Sequence, residues 1–482
     1  MIPHTKRREQ STSTDRLEQN NHRQQTSNAM QSTIANIARQ AERSTRPVII
    51  SGAGPGGLAL AAGLQKKNIP VHVYEKLPKL IPSSCFGLAA NGALVCEAFG
   101  LMNTPDTGID NFVNTNKTTS VDLCDGSNLA TIDTPKFHSA DESVQLPAFG
   151  IMKRYDFCRS VLSQLDEGTV SFSSKVVHVE DFGDRVEVEF EDGTKVEGSI
   201  LVAADGVNSR IREQILPTDE TKMKWSGYRL SYGLTDHKPL LDASVEIPEP
   251  GKMFVIYGPK SYQLMCNMEK TESIYWACYE LIPEPGSRKW TPQPPMEECR
   301  DRLLANLEAT SGGRYSPKFT EPIRHTGTLV ETTHWLAPAY ERFHEGRIVL
   351  MGDAAHKTMP FTGQGLNMAC EDSLVLATVL AENFDAATGE FRPSTDFDEV
   401  FSEYYRIRGE FTKGTQENAN RLGQFQLPPS RIFQWVRNLG ICFLEITGLG
   451  QKLADRASAT AESKVTGPTI ERVERYQRAG CE

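Results

Sequence analysis

At 482 residues the chain is long enough to bury a large core and to hold more than one domain. Its net charge of −10, with no dense basic face, argues against nucleic acid as a partner. The ten cysteines (Cys85, Cys96, Cys124, Cys158, Cys266, Cys278, Cys299, Cys370, Cys442 and Cys481) show no Cys-x-x-Cys spacing. No metal site or redox pair is therefore expected, and the thiols read as buried and free in a reducing compartment.

Residues 1–45 are rich in Ser, Thr, Gln, Asn and Arg and read as a disordered extension. Met30, Ile34, Ile37, Ala38 and Ala41 recur there at helical spacing beside Arg39 and Arg43. Asp15, Glu18 and Glu42 count against an organelle transit peptide, and no secretory apolar core is present. Pro47 to Ile50 then form an apolar run that passes through Ser51-Gly52-Ala53-Gly54-Pro55-Gly56-Gly57 into an apolar helical pattern, which is a strand, a tight turn and a helix. Gly52 permits the turn, Gly54 lets the backbone approach a pyrophosphate, and Gly57 lets the helix pack on the strand. Phosphate would sit at the positive helix N-terminus, at Pro55. A second strand, Val71-His72-Val73-Tyr74, ends in Glu75, about 20 residues on, where a carboxylate can accept hydrogen bonds from a ribose. Together these form a βαβ dinucleotide fingerprint, which leaves open which dinucleotide is held.

From Val170 to Ala204 the pattern is β, with Val186, Val188 and Phe190 alternating before a turn at Glu191-Asp192-Gly193-Thr194. The buried strand Ile200-Leu201-Val202-Ala203-Ala204 delivers Asp205-Gly206-Val207-Asn208-Ser209-Arg210, although Asp-Gly is also a common turn dipeptide. Short strand-like runs follow at Met253 to Gly258, Tyr262 to Met268 and Ile274 to Leu281, between loops holding Pro283, Pro285, Pro292, Pro294 and Pro295. They predict an antiparallel sheet. Tyr228, Phe254, Tyr257, Met265, Trp276 and Tyr279 are its candidate pocket residues, with about half expected on the wrong face. Gly346 to Met351 reads as a buried strand ending in Gly352-Asp353-Ala354-Ala355-His356, and Pro360-Phe361-Thr362-Gly363-Gln364-Gly365-Leu366-Asn367 opens a long helix. Glycines there would place bare amides and a positive dipole end against a ligand. Beyond about 400 the chain is helical. Pro428-Pro429 restarts a helix rich in Ile432, Phe433, Trp435 and Phe443, too interrupted to span a membrane and expected to dock on the core rather than on a membrane surface or a partner.

The three glycine and aspartate stretches, in this order, resemble the single-component (class A) FAD-dependent aromatic hydroxylases and epoxidases over most of residues 46–425. Members of that family include para-hydroxybenzoate hydroxylase, salicylate hydroxylase and zeaxanthin epoxidase. The resemblance implies an α/β fold: a Rossmann-like FAD-binding domain of the para-hydroxybenzoate hydroxylase type at 46–221 and 336–425, an inserted substrate sheet domain at 222–335, and a C-terminal helical segment at 426–482. It implies tightly bound FAD, with the ADP half on Gly52, Gly54, Pro55, Gly57 and Glu75 and the ribityl region on Asp353. Asp205, Gly206 and Arg212 would serve FAD and the incoming nicotinamide, and Arg154 would contact FAD. Gly363, Gln364, Gly365, Leu366 and Asn367 are the expected catalytic stretch, stabilising charge near flavin N1, with Gly365 and Asn367 also touching cofactor. His356 reads as structural. Ser83-Ser84-Cys85-Phe86-Gly87 departs from many relatives, which place an arginine or smaller residues there.

The implied activity is a monooxygenase. NAD(P)H visits transiently, O₂ forms a C4a-hydroperoxyflavin, and an electron-rich aromatic, isoprenoid or polyketide small molecule of secondary metabolism is hydroxylated or epoxidised. No second glycine fingerprint follows residue 57, so a dedicated nicotinamide domain is not expected. The alternatives are a flavin oxidase, a halogenase (whose Gly-Trp-x-Trp-x-Ile-Pro segment is missing from the sequence) and a flavin scaffold without turnover. A cytoplasmic location is expected, with organelle targeting and peripheral membrane association as alternatives.

Overall fold

Strand Val48–Ser51 is buried along its whole length, as a strand covered by helices on both sides must be. It lies inside a six-stranded sheet whose order is Val170–Ser171, Val71–Tyr74, Val48–Ser51, Ile200–Ala203, Ile348–Leu350 and His344–Glu345. All neighbours pair in parallel except the last. The computed structural model describes residues 46–81, 85–102, 113–114, 117–124, 126–133, 136–138, 145–147, 149–217, 221–285, 293–428, 430–461 and 467–480. The expectations for residues 1–45, Ser83, Ser84, Pro292, Pro429 and Cys481 lie outside them.

Helix Pro55–Lys66 is buried from Gly57 to Leu64 because it is apolar on every side. It is pressed between the sheet and the helix Gly365–Asn383, and a methyl on Gly56 would come within 3.0 Å of the Ala369 Cβ. Helix Gly365–Asn383 is therefore the central element of this half of the molecule, and it carries two adjacent, fully enclosed carboxylates, Glu371 and Asp372. Arg408, from helix Phe397–Gln426, donates to Glu371 Oε2 at 2.6 Å and to Asp372 Oδ1 at 2.8 Å. Thr469 and Arg472 of the C-terminal helix Gly467–Arg478 reach the other Glu371 oxygen.

A seven-stranded sheet forms the second layer. Its order is Thr328–Leu336, Lys224–Asp236, Ser273–Leu281, Ser261–Met268, Lys252–Gly258, Lys117–Asp122 and Asn128–Asp133. The three strands anticipated between 253 and 281 are present, each extended by about one residue at its start. Two strands come from 117–133, a stretch the sequence reading assigned wholly to the flavin domain. They join by a parallel pairing of Lys117–Asp122 with Lys252–Gly258, a contact between distant segments that local periodicity does not reveal.

Helix Arg431–Ile446 departs from expectation more sharply. It docks on the protein through Gln434, Arg437 and Ile441, and it leaves Trp435 64 % and Ile446 85 % exposed. The amphipathic pattern was legible, but its polar face makes the inward contacts. No helix of the described residues is long and apolar enough to cross a membrane.

Burial alone would raise the Asp372 carboxyl, yet His356 and Arg408 outweigh it and hold it down to about 2. A carboxyl depressed on folding adds stability that is complete above its ordinary 3.8 and is lost as the pH falls toward about 2, worth roughly 2 kcal/mol. Asp372→Asn is expected to lower stability at neutral pH by about 3 kcal/mol, by leaving the buried Arg408 short of charge, and to abolish that acid limb. Urea midpoints from neutral to acid pH check both effects; an unchanged neutral midpoint would show the network to be dispensable.

Candidate functional site

The carboxyl ends of the parallel strands Val48–Ser51, Val71–Tyr74, Ile200–Ala203 and Ile348–Leu350 open onto one cavity of ≈ 470 Å³. Open α/β sheets bind ligands at this end. Gly52, Gly54, Pro55, Gly57, Glu75, Arg154, Asp205, Gly206, Asp353, Gly365 and Leu366 line it, so three stretches far apart in sequence meet in one place.

Each glycine of the first turn has a distinct steric reason. Gly52 has φ +112°, and a Cβ there would lie 2.5 Å from the Ala204 carbonyl oxygen. A Cβ on Gly57 would lie 2.2 Å from the Gly52 carbonyl oxygen and 3.3 Å from Ile50 Cγ2, so the helix sits flush on the turn and the strand. Gly54 is different: a Cβ there would have only Arg154 Nη2 nearby, at 3.8 Å, and would project into the cradle itself. The helix Pro55–Lys66 has no side-chain cap, so its first amides and positive dipole end face the cavity. Glu75 spans turn and strand, accepting from the Ala53 amide on Oε2 and the Leu77 amide on Oε1, both at 2.9 Å. Each oxygen keeps a lone pair for a ribose hydroxyl.

Asp205 carries an open valence. Its Oδ2 accepts from the Arg210 amide at 3.2 Å, while the enclosed Oδ1 has no hydrogen-bond partner, and burial pushes the carboxyl above its ordinary value. Such an atom calls for a donor from a ligand. Asp353, exposed at the cavity wall, starts the short helix Asp353–His356. At the far end, helix Gly365–Asn383 also lacks a side-chain cap, and Gly365 and Leu366 border the cavity where its first amides emerge.

Several expected site residues act elsewhere. Arg212 does not line the cavity; it is buried, donates to the carbonyls of Ala354 at 3.1 Å and Val207 at 2.9 Å, and so braces the two aspartate loops against each other. Asn367, fully buried, accepts from the Ala89 amide at 2.8 Å and donates to the carbonyls of Gly87 and Gly363 at 3.2 and 2.9 Å. With both ends of its amide engaged, it clamps the loop instead of touching cofactor. Gln364 stands off the cavity, beside Asn91. Gly363, at φ +64°, also stands off it and makes room for the Phe149 ring, which would approach a Cβ there to 2.8 Å. His356 meets Asp372 at 2.5 Å behind the loop, the structural place expected of it.

Other residues escaped the sequence reading. Lys76, Lys79 and Lys175 line the cavity and, with Arg210 at the end of the Asp205 stretch, give it a cationic rim suited to phosphates. Lys76 and Lys79 follow Glu75 closely, a charge cluster that was visible in sequence. Phe149 left no such signal, since its ring also requires Gly87, where a Cβ would meet it at 2.0 Å. No cluster of metal-ligating residues occurs among the described residues. The described cysteines are free, and burial pushes Cys85 and Cys266 up to about 12, which makes them inert.

The seven-stranded sheet turns one face toward this end of the molecule. Tyr228, Tyr257 and Tyr279 pack there with Met359 and Phe361, whereas Phe254, Met265 and Trp276 pack on the opposite face against helix Met296–Ser311, dividing the six candidates evenly.

Comparison with known proteins agrees with this geometry. A family model described as an FAD binding domain matches residues 162–391. The chain is 26 % identical over 399 residues to 3-amino-4-hydroxybenzoate 2-monooxygenase of Streptomyces cremeus, covering 79 % of this chain and 88 % of that protein. It is 26 % identical over 407 residues to the FAD-dependent monooxygenase ausM of Penicillium brasilianum, covering 78 % of each. Among solved structures, Klebsiella pneumoniae HpxO complexed with FAD and uric acid aligns with a TM-score of 0.67 at 21 % identity, over 85 % of this chain and 96 % of that one, a likeness of fold. The cradle at Gly54, the unpartnered Asp205 Oδ1 and the two uncapped helix starts fit FAD.

Gly54→Ala is expected to keep the fold and to weaken FAD binding by about tenfold or more, because its methyl fills the cradle. Gly57→Ala is expected to cost stability as well, by about 2 kcal/mol, because its methyl meets backbone. Fluorescence titration with FAD, paired with urea unfolding, separates the two; equal effects would contradict the assignment of Gly54 to the ligand.

Proposed function

We propose, for a chain that belongs to the FAD-dependent monooxygenases of the class A kind, that the substrate is a neutral, apolar isoprenoid or polyketide molecule of secondary metabolism and that oxygen enters it without a protein base. The supporting observation is the sheet face opposite the flavin cavity. Three rows of paired residues cross its four central strands: Leu230, Tyr279, Tyr262 and Tyr257; then Tyr232, Ala277, Leu264 and Val255; then Leu234, Tyr275, Cys266 and Met253. Tyr232, Leu234, Met253, Leu264 and Tyr275 are only partly buried although they sit mid-sheet, as side chains bordering a binding space are. No lysine, arginine, histidine or carboxylate stands in these rows. An aromatic acid such as the one for which the Streptomyces relative is named would need a cation there.

Bound FAD supplies the redox chemistry: NAD(P)H, a proton and O₂ yield NAD(P)⁺, water and one oxygen atom added to the substrate. The residues of this chain bind, orient and exclude water. Gly54, Arg154 and the first amides of helix Pro55–Lys66 would hold the pyrophosphate, Glu75 a ribose and Asp353 the ribityl chain. The amides of Gly365 and Leu366, at an uncapped helix start on the cavity, would stabilise negative charge on a bound flavin, and Asn367 and Arg212 fix the loops that line the site. Asp205, Gly206, Lys175 and Arg210 receive the nicotinamide nucleotide. Phe86, on the cavity wall, would help keep water from the bound flavin. Free buried thiols support a cytoplasmic location.

A second reading, hydroxylation of a neutral phenol, is favoured by His334. It lies on the same face of strand Thr328–Leu336 as Leu336, both ring nitrogens lack partners, and burial with Lys357 nearby holds it down to about 3, so that it stays neutral, able to hydrogen-bond a phenol hydroxyl but too weak a base to take its proton.

Purified enzyme with FAD, NADPH or NADH and a panel of neutral prenylated or polyketide compounds, phenols and aromatic acids is expected to add one oxygen atom to a member of the first group, read by product mass. His334→Phe leaves that turnover within about twofold, whereas a phenol held by its ring nitrogen would lose about tenfold. Turnover confined to aromatic acids would overturn the proposal.

A further inference from the structure

The helix Arg431–Ile446 is amphipathic with its polar side turned inward. Arg437 Nη1 donates to the Gln426 carbonyl at 2.6 Å, and its guanidinium lies 4.4 Å over the Tyr257 ring. Asn438 Nδ2 donates to Asp122 Oδ2 at 2.9 Å, and Gln434 Nε2 to the Pro428 carbonyl at 3.2 Å. These bonds fix the rotation of the helix. Ile432, Phe433, Trp435, Leu439, Phe443 and Ile446 are consequently exposed together. Leu449 and Leu453 of helix Leu449–Ala461 continue the apolar surface. Elsewhere exposed large apolar side chains such as Ile81, Phe182 and Leu241 occur far from one another in sequence, so this concentration is the exception.

Charge decides what such a face meets. With Arg437 turned inward, segment 431–456 presents three cations, Arg431, Lys452 and Arg456, against two carboxylates, Glu445 and Asp455, which gives +1 on the outer side in a chain whose net charge is −10. A second copy of the chain would bring like charge to the same place, whereas anionic headgroups complement it. Trp and Phe beside aliphatic residues suit the boundary between headgroups and acyl chains. The helix is too short and interrupted to cross, so it would lie in the surface.

We infer that the outer face of helices Arg431–Ile446 and Leu449–Ala461 docks this enzyme on an anionic lipid surface. The docking rests on the exposed face alone. Its use rests on the substrate reading above, because Ile441 and Cys442 on the inner side of the same helix pack into the cluster of Tyr228, Tyr262 and Tyr279 on the substrate sheet. A neutral apolar substrate dissolved in the bilayer would then lie close to the layer that receives it.

The test is co-sedimentation of the full-length, FAD-loaded protein with phosphatidylcholine vesicles that contain or lack phosphatidylserine, without substrate or turnover, so that it stands apart from the identity of the reaction. Binding to the phosphatidylserine vesicles is expected, weakened several-fold by high salt. It should fall by about tenfold or more in the double variant Phe433→Glu, Trp435→Glu, with the flavin spectrum and urea midpoint unchanged. A protein that stays in the supernatant overturns the inference, whether it sediments as a monomer or as a dimer that the same substitutions dissociate. So does binding that the double variant retains.

Discussion

The geometry of the flavin end depends on one buried interaction, the bidentate use of Asp372. Its Oδ2 accepts both the Gly352 amide, at 2.9 Å, and His356, at 2.5 Å, while Oδ1 accepts from Arg408. The first bond holds the backbone of the Gly-Asp loop, the second closes the turn behind it, and the third ties both to a helix that begins more than one element later. Ionised groups with no access to water need charged and hydrogen-bonding partners, and the neighbouring Glu371 has its own in Arg408, Thr469 and Arg472. The C-terminal helix Gly467–Arg478 is thus electrostatically joined to the helix whose start faces the cofactor.

That arrangement explains why the cavity can be lined so largely by backbone. Glycines at 52, 54, 206, 352 and 365 bring bare main chain to a ligand, and main chain is positioned only as well as the elements behind it. Arg212 and Asn367 serve this purpose. Each spends its donors on carbonyls of the loops flanking the site, Arg212 between 207 and 354 and Asn367 between 87 and 363. They act on the reaction through position.

The same distinction accounts for what was legible in the sequence. Gly52 and Gly57 were readable because their constraint is local: a turn with positive φ and a helix pressed on its own strand leave a short-range mark. Glu75, Asp205 and Asp353 were readable because each ends a strand at the same edge of one sheet. For Arg212 and Asn367 the position was legible but the direction of the side chain was not, since each joins a nearby carbonyl to a partner more than a hundred residues away. The strands at 117–133 failed for a related reason: a parallel pairing with Lys252–Gly258 is specified by two distant segments together. Phe149 was invisible because its place is defined by the absence of side chains at Gly87 and Gly363.

Periodicity has a comparable blind spot in the helix Arg431–Ile446. A repeat of apolar residues shows that a helix has two unlike faces, and in a globular protein the apolar one normally turns inward. Here Arg437 finds the Gln426 carbonyl and the face of Tyr257, and Asn438 finds Asp122, so the polar residues have the better partners on the protein. The apolar face is then left for another medium. On its other side lies a sheet face whose three central rows carry no charge. The sheet face proposed to take the substrate thus lies behind an apolar outer surface, and helix Arg431–Ile446 packs between them.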